Sequence, residues 1–286
     1  MYPTRIKEYI MKKYHDFVGK NQRILDKWKA NFPSERQSKF ANDGIMNKGK
    51  PYYGGNSEVL KKSGNENELW NITPLRVLFL TKDENLYDDN ISVWDVRTET
   101  FHLRGTDSEQ FIISNSTFYR NEANILYGIL HTRADNMVGF HEFSQKDALK
   151  FSDEVVFARI NCKKEGGGGT ISDDELQKAI DQYFEFLKEQ IFELDADLII
   201  CCGHQHENNV ILNTLYKIYP NEFKYIDFGK YKGSGLHYNK KRNKLAIDAY
   251  HLSYITGGEE LRYYEVVGAY YEFLKKEKGF TNSHRK

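Results

Sequence analysis

The sequence contains few cysteines, and their spacing excludes several kinds of site. The three cysteines are Cys162, Cys201 and Cys202, and they form no Cys-x-x-Cys pair of the kind that zinc sites use. Three cysteines alone cannot ligate a four-cysteine iron–sulfur cluster. Because Cys201 and Cys202 lie in an apolar run, we expect buried thiols rather than a disulfide, as in a reducing cytoplasm. We therefore expect a cytoplasmic protein with no metal and no other cofactor.

Net charge and long apolar segments are also lacking. The 41 Lys and Arg residues balance 41 Asp and Glu residues, so the formal net charge is +0 at pH 7. Any contact with a polyanion must therefore come from local basic patches. No apolar run is long enough to cross a bilayer, and Met1–Lys12 lacks the apolar core of a signal peptide. We expect a monomer that does not contact membranes.

Apolar and aromatic residues are plentiful. Hydrophobic residues make up 40% of the 286 residues and aromatic residues 14%, including 20 Tyr and 18 Phe. This composition supports one large domain, or one domain with a substantial extension. Tyrosines suit a binding groove, although a tyrosine-rich core is an equally ordinary interpretation.

Four short apolar runs predict buried strands that alternate with helices. The predicted strands are Val77–Thr81, Val155–Ile160, Leu198–Cys202 and Leu245–Ala249. Alternation of this kind indicates a parallel sheet with helices on both faces. The predicted fold is a three-layer α/β/α sandwich around a central, mostly parallel four-stranded sheet.

Helical spacing of apolar residues predicts the remaining elements. The predicted helices are Ile6–Phe32, Phe118–Leu130, a helix capped by Ser172 that ends near Leu194, Asn208–Tyr219 and Glu259–Lys275. The polar stretch Pro33–Asn71 predicts irregular structure. We therefore expect an N-terminal helical extension over residues 1–73 and an α/β domain over residues 74–286.

A polar residue follows every predicted strand. In chain order these residues are Asp83 and Asn85, then Asn161, then His204 and His206, then His251 and Ser253. In sheets of this type, ligands bind beyond the carboxyl ends of the strands. The sequence thus predicts that an acid, an amide and a histidine converge at one edge.

The order of these strand-end motifs resembles that of the uracil-DNA glycosylase superfamily. The matching stretches are VLFLTKDEN, VVFARIN, LIICCGHQ and AIDAYHLSYI, and the resemblance runs from about Pro74 to the C-terminus. The first motif lacks the family's Gly-Gln lead and its proline, and the last has Leu252 and Tyr254 where the family usually has prolines. Both departures fall in loops that contact DNA in the family.

The resemblance implies a uracil-DNA glycosylase-like fold and a monofunctional DNA glycosylase that hydrolyses the N-glycosidic bond of a flipped-out pyrimidine. In that role, Asp83 stabilises the cationic sugar and orients or activates water, and His251 donates a hydrogen bond to the pyrimidine O2. Asn161 recognises the Watson–Crick edge of the base. Considered singly, each residue has an ordinary structural alternative: a turn cap, a strand-end amide or a loop histidine.

The identity of residue 85, an asparagine, indicates which pyrimidines the predicted base pocket can bind. In uracil-specific relatives this position is a tyrosine that fills the space beside pyrimidine C5, and asparagine is smaller and polar. The resemblance therefore implies a pocket for uracil or for a C5-modified pyrimidine, in base excision or in defence against phages with modified DNA. Tyr87 and Trp94 are candidates to stack on the base, although a core tryptophan is nearly as plausible.

DNA contacts are expected from the wedge motif and from a basic run. Ser253 corresponds to a phosphate contact, and Ile255 to the wedge that fills the gap in the base stack. The basic run contains Lys230, Lys232, Lys240, Lys241, Arg242 and Lys244. We predict that it forms a phosphate track beside the wedge, with a solvated loop as the alternative. A glycine loop, Gly166–Gly169, is a second candidate for phosphate contact or a flexible lid.

Three alternatives to an active glycosylase stay open. The first is a DNA-binding relative that has lost catalysis and senses damaged or foreign DNA. The second is a small-molecule hydrolase or nucleotide-binding enzyme on a similar sheet. The third is a metal enzyme that uses His204, His206 and Glu207, a spacing that fits one metal face poorly on a helix.

Overall fold

The strands of the molecule form one mixed sheet, together with one small separate pair. The computed structural model describes residues 14–46, 65–83, 94–99, 116–167, 170–203, 209–227, 235–254, 256–277 and 279–280. The strands are β1 (Ala41–Asn42), β2 (Gly44–Ile45), β3 (Val77–Thr81), β4 (Trp94–Asp95), β5 (Ala158–Asn161), β6 (Leu198–Gly203), β7 (Lys224–Ile226), β8 (Leu236–Asn239) and β9 (Lys244–Tyr250).

The large sheet has seven strands in the order β2-β5-β3-β6-β9-β8-β7, so the expected four-stranded sheet is wrong. Its centre, β5-β3-β6-β9, is parallel, and these strands correspond to the four predicted apolar runs. Strands β2, β8 and β7 add antiparallel pairing at the two edges. These three strands are short, β7 mixes polar and apolar residues, and β8 lies within the predicted basic run, so none of them has the pattern of a buried strand.

Helices cover both faces of the sheet. The α-helices are α1 (Phe17–Ala30), α2 (Glu66–Ile72), α3 (Val96–Glu99), α4 (Thr117–His131), α5 (Gln145–Glu154), α6 (Asp173–Gln182), α7 (Phe184–Leu194), α8 (Val210–Ile218), α9 (Gly258–Tyr263) and α10 (Ala269–Lys276). A π-helical stretch, Tyr264–Gly268, joins α9 to α10. The single helix predicted up to Leu194 is two helices, because the chain leaves helical geometry at Tyr183.

Alternating residues of the central strands point to two different cores. On one face, Leu78 and Leu80 pack with apolar residues of α1, α6, α7 and α8. On the other face, Val77 and Phe79 pack with α4 and with the C-terminal helices. Burying a side chain of this size contributes roughly 1.5–3 kcal/mol, so the two cores fix the sheet and both helical layers.

The N-terminal segment is part of the same core. Phe17, Leu25 and Trp28 of the extension belong to the cluster that contains β3 residues. Strand β2 pairs with β5 through Gly44 and Ile45. Residues on both sides of the boundary expected at residue 73 therefore share one sheet and one hydrophobic core. Among the described residues, no helix combines the length and the apolar character that crossing a membrane requires.

Candidate active site

The three residues expected to perform catalysis and base recognition lie at the same edge of the sheet. Thr81 of β3 pairs with Asn161 of β5, so Asn161 stands at the end of its strand beside β3. Asp83 follows two residues after Thr81, and His251 follows directly after β9. Strands β3 and β9 flank β6, which puts their ends roughly 10 Å apart. The parallel register thus brings an acid, an amide and an imidazole to one edge.

Asp83 lies in an open cavity beside a lysine. Its side chain is 13% exposed, and Lys163 Nζ lies 3.4 Å from Asp83 Oδ2. Burial raises the pKa of the Asp83 carboxyl, and the positive charge of Lys163 opposes this rise. The cavity has a volume of about 380 Å³, and its lining includes Gly167 and Lys178.

Gly167 permits a close approach of the backbone to this pair. A Cβ atom there would lie 3.1 Å from Asp83 Oδ2 and 3.2 Å from Lys163 Nζ. Contacts of this length require the neighbouring side chains to shift. A side chain at position 167 would therefore press on both charged groups.

Asn161 is completely buried and carries an unsatisfied donor. Thr81 Oγ1 lies 2.5 Å from Asn161 Oδ1, and the backbone N–H of Asn161 donates to Asp43 Oδ2 at 2.7 Å. Among the described residues, no acceptor is within hydrogen-bond geometry of Asn161 Nδ2. Leaving such a buried donor unpaired costs about 1–3 kcal/mol. An acceptor on a bound ligand would remove this cost.

The Asp43 carboxylate, which accepts from the Asn161 backbone, also forms a buried ion pair with Lys164. Lys164 Nζ lies 2.6 and 2.5 Å from the two carboxylate oxygens of Asp43, and both side chains are fully buried. Gln190 Nε2 donates to Asp43 Oδ1 at 2.9 Å. Burial lowers the pKa of the Lys164 amine, and the charge of Asp43 opposes that effect. Asp43 belongs to the N-terminal segment, so that segment holds the backbone of Asn161 in position.

His251 is neutral near pH 7, and one of its ring nitrogens accepts a hydrogen bond from the backbone. Burial, assisted by the charge of Lys82, lowers the pKa of His251 to about 4. The backbone N–H of Ser253 donates to His251 Nδ1 at 3.3 Å. Because a neutral imidazole has one acceptor and one donor nitrogen, this contact assigns the proton to Nε2. His251 can therefore donate one hydrogen bond without carrying a charge.

An aromatic stack adjoins His251. The rings of Tyr250 and Tyr254 are parallel within 4° and their centroids lie 4.6 Å apart. The Arg262 guanidinium lies 3.9 Å from the Tyr250 ring centroid, and Tyr254 is 37% exposed. His251 and Tyr250 line a small cavity of about 10 Å³, whose lining shares no residue with the Asp83 cavity.

The described part of the basic run lies at the edge of the sheet opposite the candidate site. Lys240, Lys241 and Arg242 form the turn between β8 and β9, at the amino end of β9. Strand β9 is seven residues long, so this turn lies roughly 20 Å from the edge with His251. Arg242 also pairs with Glu222 at 2.6 Å. The predicted position of these three residues beside the wedge motif is therefore wrong.

The segment that contains Lys230 and Lys232 is flanked by residues that lie near the candidate site. Lys230 and Lys232 lie outside the described residues, but the flanking residues Asp227 and Gly235 adjoin the carboxyl end of β9. The Asp248 N–H donates to the Gly235 carbonyl at 2.8 Å. A phosphate contact by Lys230 and Lys232 therefore stays a prediction.

Several predicted residues fall outside the described part of the chain. These are Asn85, Tyr87, His204, His206, Glu207 and Ile255. For Trp94 only the backbone is described, and it pairs with Ala41 in the two-stranded sheet. Ser253 is exposed, and its backbone N–H holds His251. Within the described ranges, no group of three or more His, Cys, Asp and Glu side chains is arranged to hold a metal ion.

The residues that hold the site carry little or no sequence signal. Thr81 ends an apolar strand pattern, which gives it no apparent functional role. Asp43 lies 118 residues before Asn161, and no sequence signal connects them. Lys163 belongs to none of the four strand-end motifs. Its position two residues beyond the end of β5 does indicate the same edge as Asp83.

No protein-family model, curated protein or solved structure matches this chain. The resemblance to the uracil-DNA glycosylase superfamily therefore rests on the four strand-end motifs.

Proposed function

We propose that this protein is a DNA glycosylase that hydrolyses the N-glycosidic bond of a pyrimidine flipped out of DNA. The observation that carries the proposal is the buried Asn161 amide, whose nitrogen has no acceptor among the described residues. An amide nitrogen that still needs an acceptor suits the polar edge of a nucleobase, which offers hydrogen-bond acceptors. The acid and the imidazole at the same edge supply the two groups that bond cleavage needs.

Asp83 acts on the sugar. Cleavage of the glycosidic bond develops positive charge on the sugar and negative charge on the leaving base. The largely buried Asp83 carboxylate opposes the positive charge, and it can orient the attacking water. Burial raises the pKa of the Asp83 carboxyl, and the positive charge of Lys163 opposes this rise because it favours the ionised form.

His251 acts on the leaving base. Its Nε2–H can donate to the pyrimidine oxygen on which negative charge develops. A preorganised donor of this type contributes about 2.7–4 kcal/mol to transition-state stabilisation in other enzymes. The backbone N–H of Ser253 fixes the imidazole orientation, so little reorganisation is needed during the reaction.

DNA binding needs groups beyond the catalytic edge. Extruding a base costs a few kcal/mol, and stacking of one base on an aromatic ring returns about 1–3 kcal/mol. Tyr254, stacked on Tyr250, offers such a ring next to the predicted wedge residue Ile255. Lys230 and Lys232 are the candidate phosphate contacts, and binding that uses them weakens as salt increases.

The proposed substrate is uracil or a pyrimidine with a substituent at C5. In the resemblance, Asn85 takes the position of a bulky tyrosine in the uracil-specific members of that superfamily, and a smaller side chain there would leave space beside C5. Such bases occur in modified phage DNA, so the biological role would be base excision or defence against phages.

Base release from defined oligonucleotides tests the proposal. Single- and double-stranded DNA with uracil, hydroxymethylated or glucosylated pyrimidines is incubated with the full chain, and free base and abasic sites are quantified. We expect release from at least one substrate, and its loss in Asp83→Asn and His251→Ala. Binding without release from any of them would support the alternative of an inactive DNA-binding relative.

A further inference from the structure

The pair formed by Lys163 and Asp83 offers chemistry beyond hydrolysis of the glycosidic bond. Lys163 Nζ lies 3.4 Å from Asp83 Oδ2, and it also donates to the Glu165 carbonyl at 2.8 Å. Both side chains line the open cavity, and the Lys163 side chain is 19% exposed. A primary amine is thus held beside the carboxylate that would face the deoxyribose.

Removal of a base leaves an electrophile at this position. The deoxyribose of an abasic site opens to an aldehyde at C1′, the atom that Asp83 would have faced during base release. Lysine amines react with such carbonyl groups to form Schiff bases. Lys163 lies close enough to Asp83 to reach this carbon.

We propose that Lys163 is the nucleophile of an abasic-site lyase activity, in which its amine forms a Schiff base with C1′ of the abasic deoxyribose. This inference rests on the proposed function, because it uses the same cleft and the same position of the sugar. It adds strand cleavage to base release.

Lys163 and Asp83 alone supply and accept every proton that Schiff-base formation requires. The Lys163 ammonium gives one proton to Asp83, and the free amine adds to the C1′ carbonyl. The resulting hydroxyl takes the proton back from Asp83 and leaves as water, so a C=N iminium forms and a carboxylate is regenerated. Because burial raises the pKa of Asp83, its carboxylate accepts a proton more readily than an exposed one.

The second step breaks the DNA strand. The regenerated carboxylate takes a proton from C2′. The electron pair of that C–H bond forms a C2′=C3′ double bond, and the 3′-phosphate leaves with the electron pair of the C3′–O3′ bond. Water then hydrolyses the C=N bond and restores the Lys163 amine. No metal, oxidant or reductant is needed for any of these steps.

The pair lies in the wall of an open cavity of about 380 Å³, which gives a sugar access to it. Gly167 has no side chain, and a Cβ there would lie 3.1 Å from Asp83 Oδ2 and 3.2 Å from Lys163 Nζ. The neighbouring Lys164 cannot take this role, because it is completely buried against Asp43. Lys178 lines the same cavity and serves as a matched control.

Borohydride trapping on preformed abasic DNA tests the proposal. An oligonucleotide with one abasic site is incubated with the full chain and sodium cyanoborohydride, which reduces the iminium to a stable amine. We expect a covalent protein–DNA species for the wild type and for Lys178→Ala. We expect its loss in Lys163→Ala and in Lys163→Arg, whose guanidinium keeps the charge but forms no Schiff base. Peptide mapping should place the adduct on Lys163.

The abasic site is made beforehand, so this result is independent of base release. A wild type that releases bases but gives no trapped species overturns the lyase and leaves the glycosylase standing. Trapping that persists in Lys163→Arg also overturns the assignment to Lys163. A wild type that traps at Lys163 without releasing any base supports the lyase and contradicts the glycosylase.

Discussion

Thr81 Oγ1 lies 2.5 Å from Asn161 Oδ1, and both side chains are completely buried at the ends of neighbouring strands. The hydroxyl group engages one side of the amide, which leaves the amide nitrogen on the other side for a ligand. The orientation of the proposed base-recognition group is therefore set by the protein before any DNA binds.

Replacing Thr81 with valine should slow base release. The variant keeps the shape of the side chain but removes the hydroxyl, so the amide is no longer fixed in one orientation. A lost hydrogen bond of about 0.5–1.5 kcal/mol corresponds to a decrease of up to about tenfold in the single-turnover rate. Thr81→Ser keeps the hydroxyl and should stay near the wild-type rate. Equal rates for wild type and Thr81→Val would argue against this orienting role.

His251 should make the folded state sensitive to acid. Its pKa in the folded protein is about 4, below the ordinary value of 6.5, so protons bind preferentially to the unfolded chain between these values. The stabilisation is fully present above pH 6.5 and is lost as the pH falls towards 4. His251→Gln should remove about 3 kcal/mol of this pH dependence. The measurement is urea unfolding at several pH values.

His237 provides an internal comparison for the same window. Burial also lowers its pKa to about 4, and its Nδ1 lies 2.7 Å from the hydroxyl of Tyr216. Histidine NMR titration should give both residues apparent pKa values near 4. A value near 6.5 for His251 would contradict the neutral imidazole in the proposed site.

Lys163 should control the pH at which Asp83 becomes active. Burial raises the pKa of Asp83, and the charge of Lys163 lowers it, so removing this charge raises the pKa further. The acid limb of the pH–rate profile for base release should therefore move to higher pH in Lys163→Met. It should stay at the wild-type pH in Lys163→Arg, which keeps the charge. A limb that moves to lower pH in Lys163→Met would exclude Asp83 as the ionising group.

Asp43 should be essential for stability. Asp43→Asn leaves the Lys164 ammonium buried without its counter-charge, and breaking a buried pair in this way costs about 3–5 kcal/mol. The exposed pair Lys188–Glu185 is a matched control, and Glu185→Gln should cost less than about 1 kcal/mol. Urea unfolding measures both values. Restoration of part of the loss by adding Lys164→Met to Asp43→Asn would confirm that the unpaired amine is the cause.

The apolar runs of the sequence were sufficient to predict the parallel centre of the sheet. Strand β3 has the predicted bounds, Val77–Thr81, because a buried parallel strand forms a near-continuous apolar run, here VLFL followed by Thr81. The edge strands could not be found in this way, since β7 (KYI) and β8 (LHYN) mix polar and apolar residues. Polar residues after the central strands did indicate the carboxyl edge, because parallel strands end together.

The contacts around the site depend on tertiary structure and were not predictable. Asp43 reaches Asn161 only because β2 joins the edge of the sheet beside β5. The basic run was misplaced in part because its residues 236–239 form a strand, which sends the turn 240–243 to the opposite edge. Periodicity assigns residues to elements, whereas strand order and direction decide which edge a loop occupies.

A crystal structure with DNA would test the central claim most directly. The oligonucleotide would carry the released pyrimidine on a 2′-fluoro sugar, because the electron-withdrawing fluorine opposes positive charge on the sugar and slows cleavage. We predict an everted base whose polar edge accepts a hydrogen bond from Asn161 Nδ2, with His251 Nε2 at a base oxygen and Asp83 facing C1′. A base that stays stacked in the helix, or that binds on a surface away from these three side chains, would contradict it.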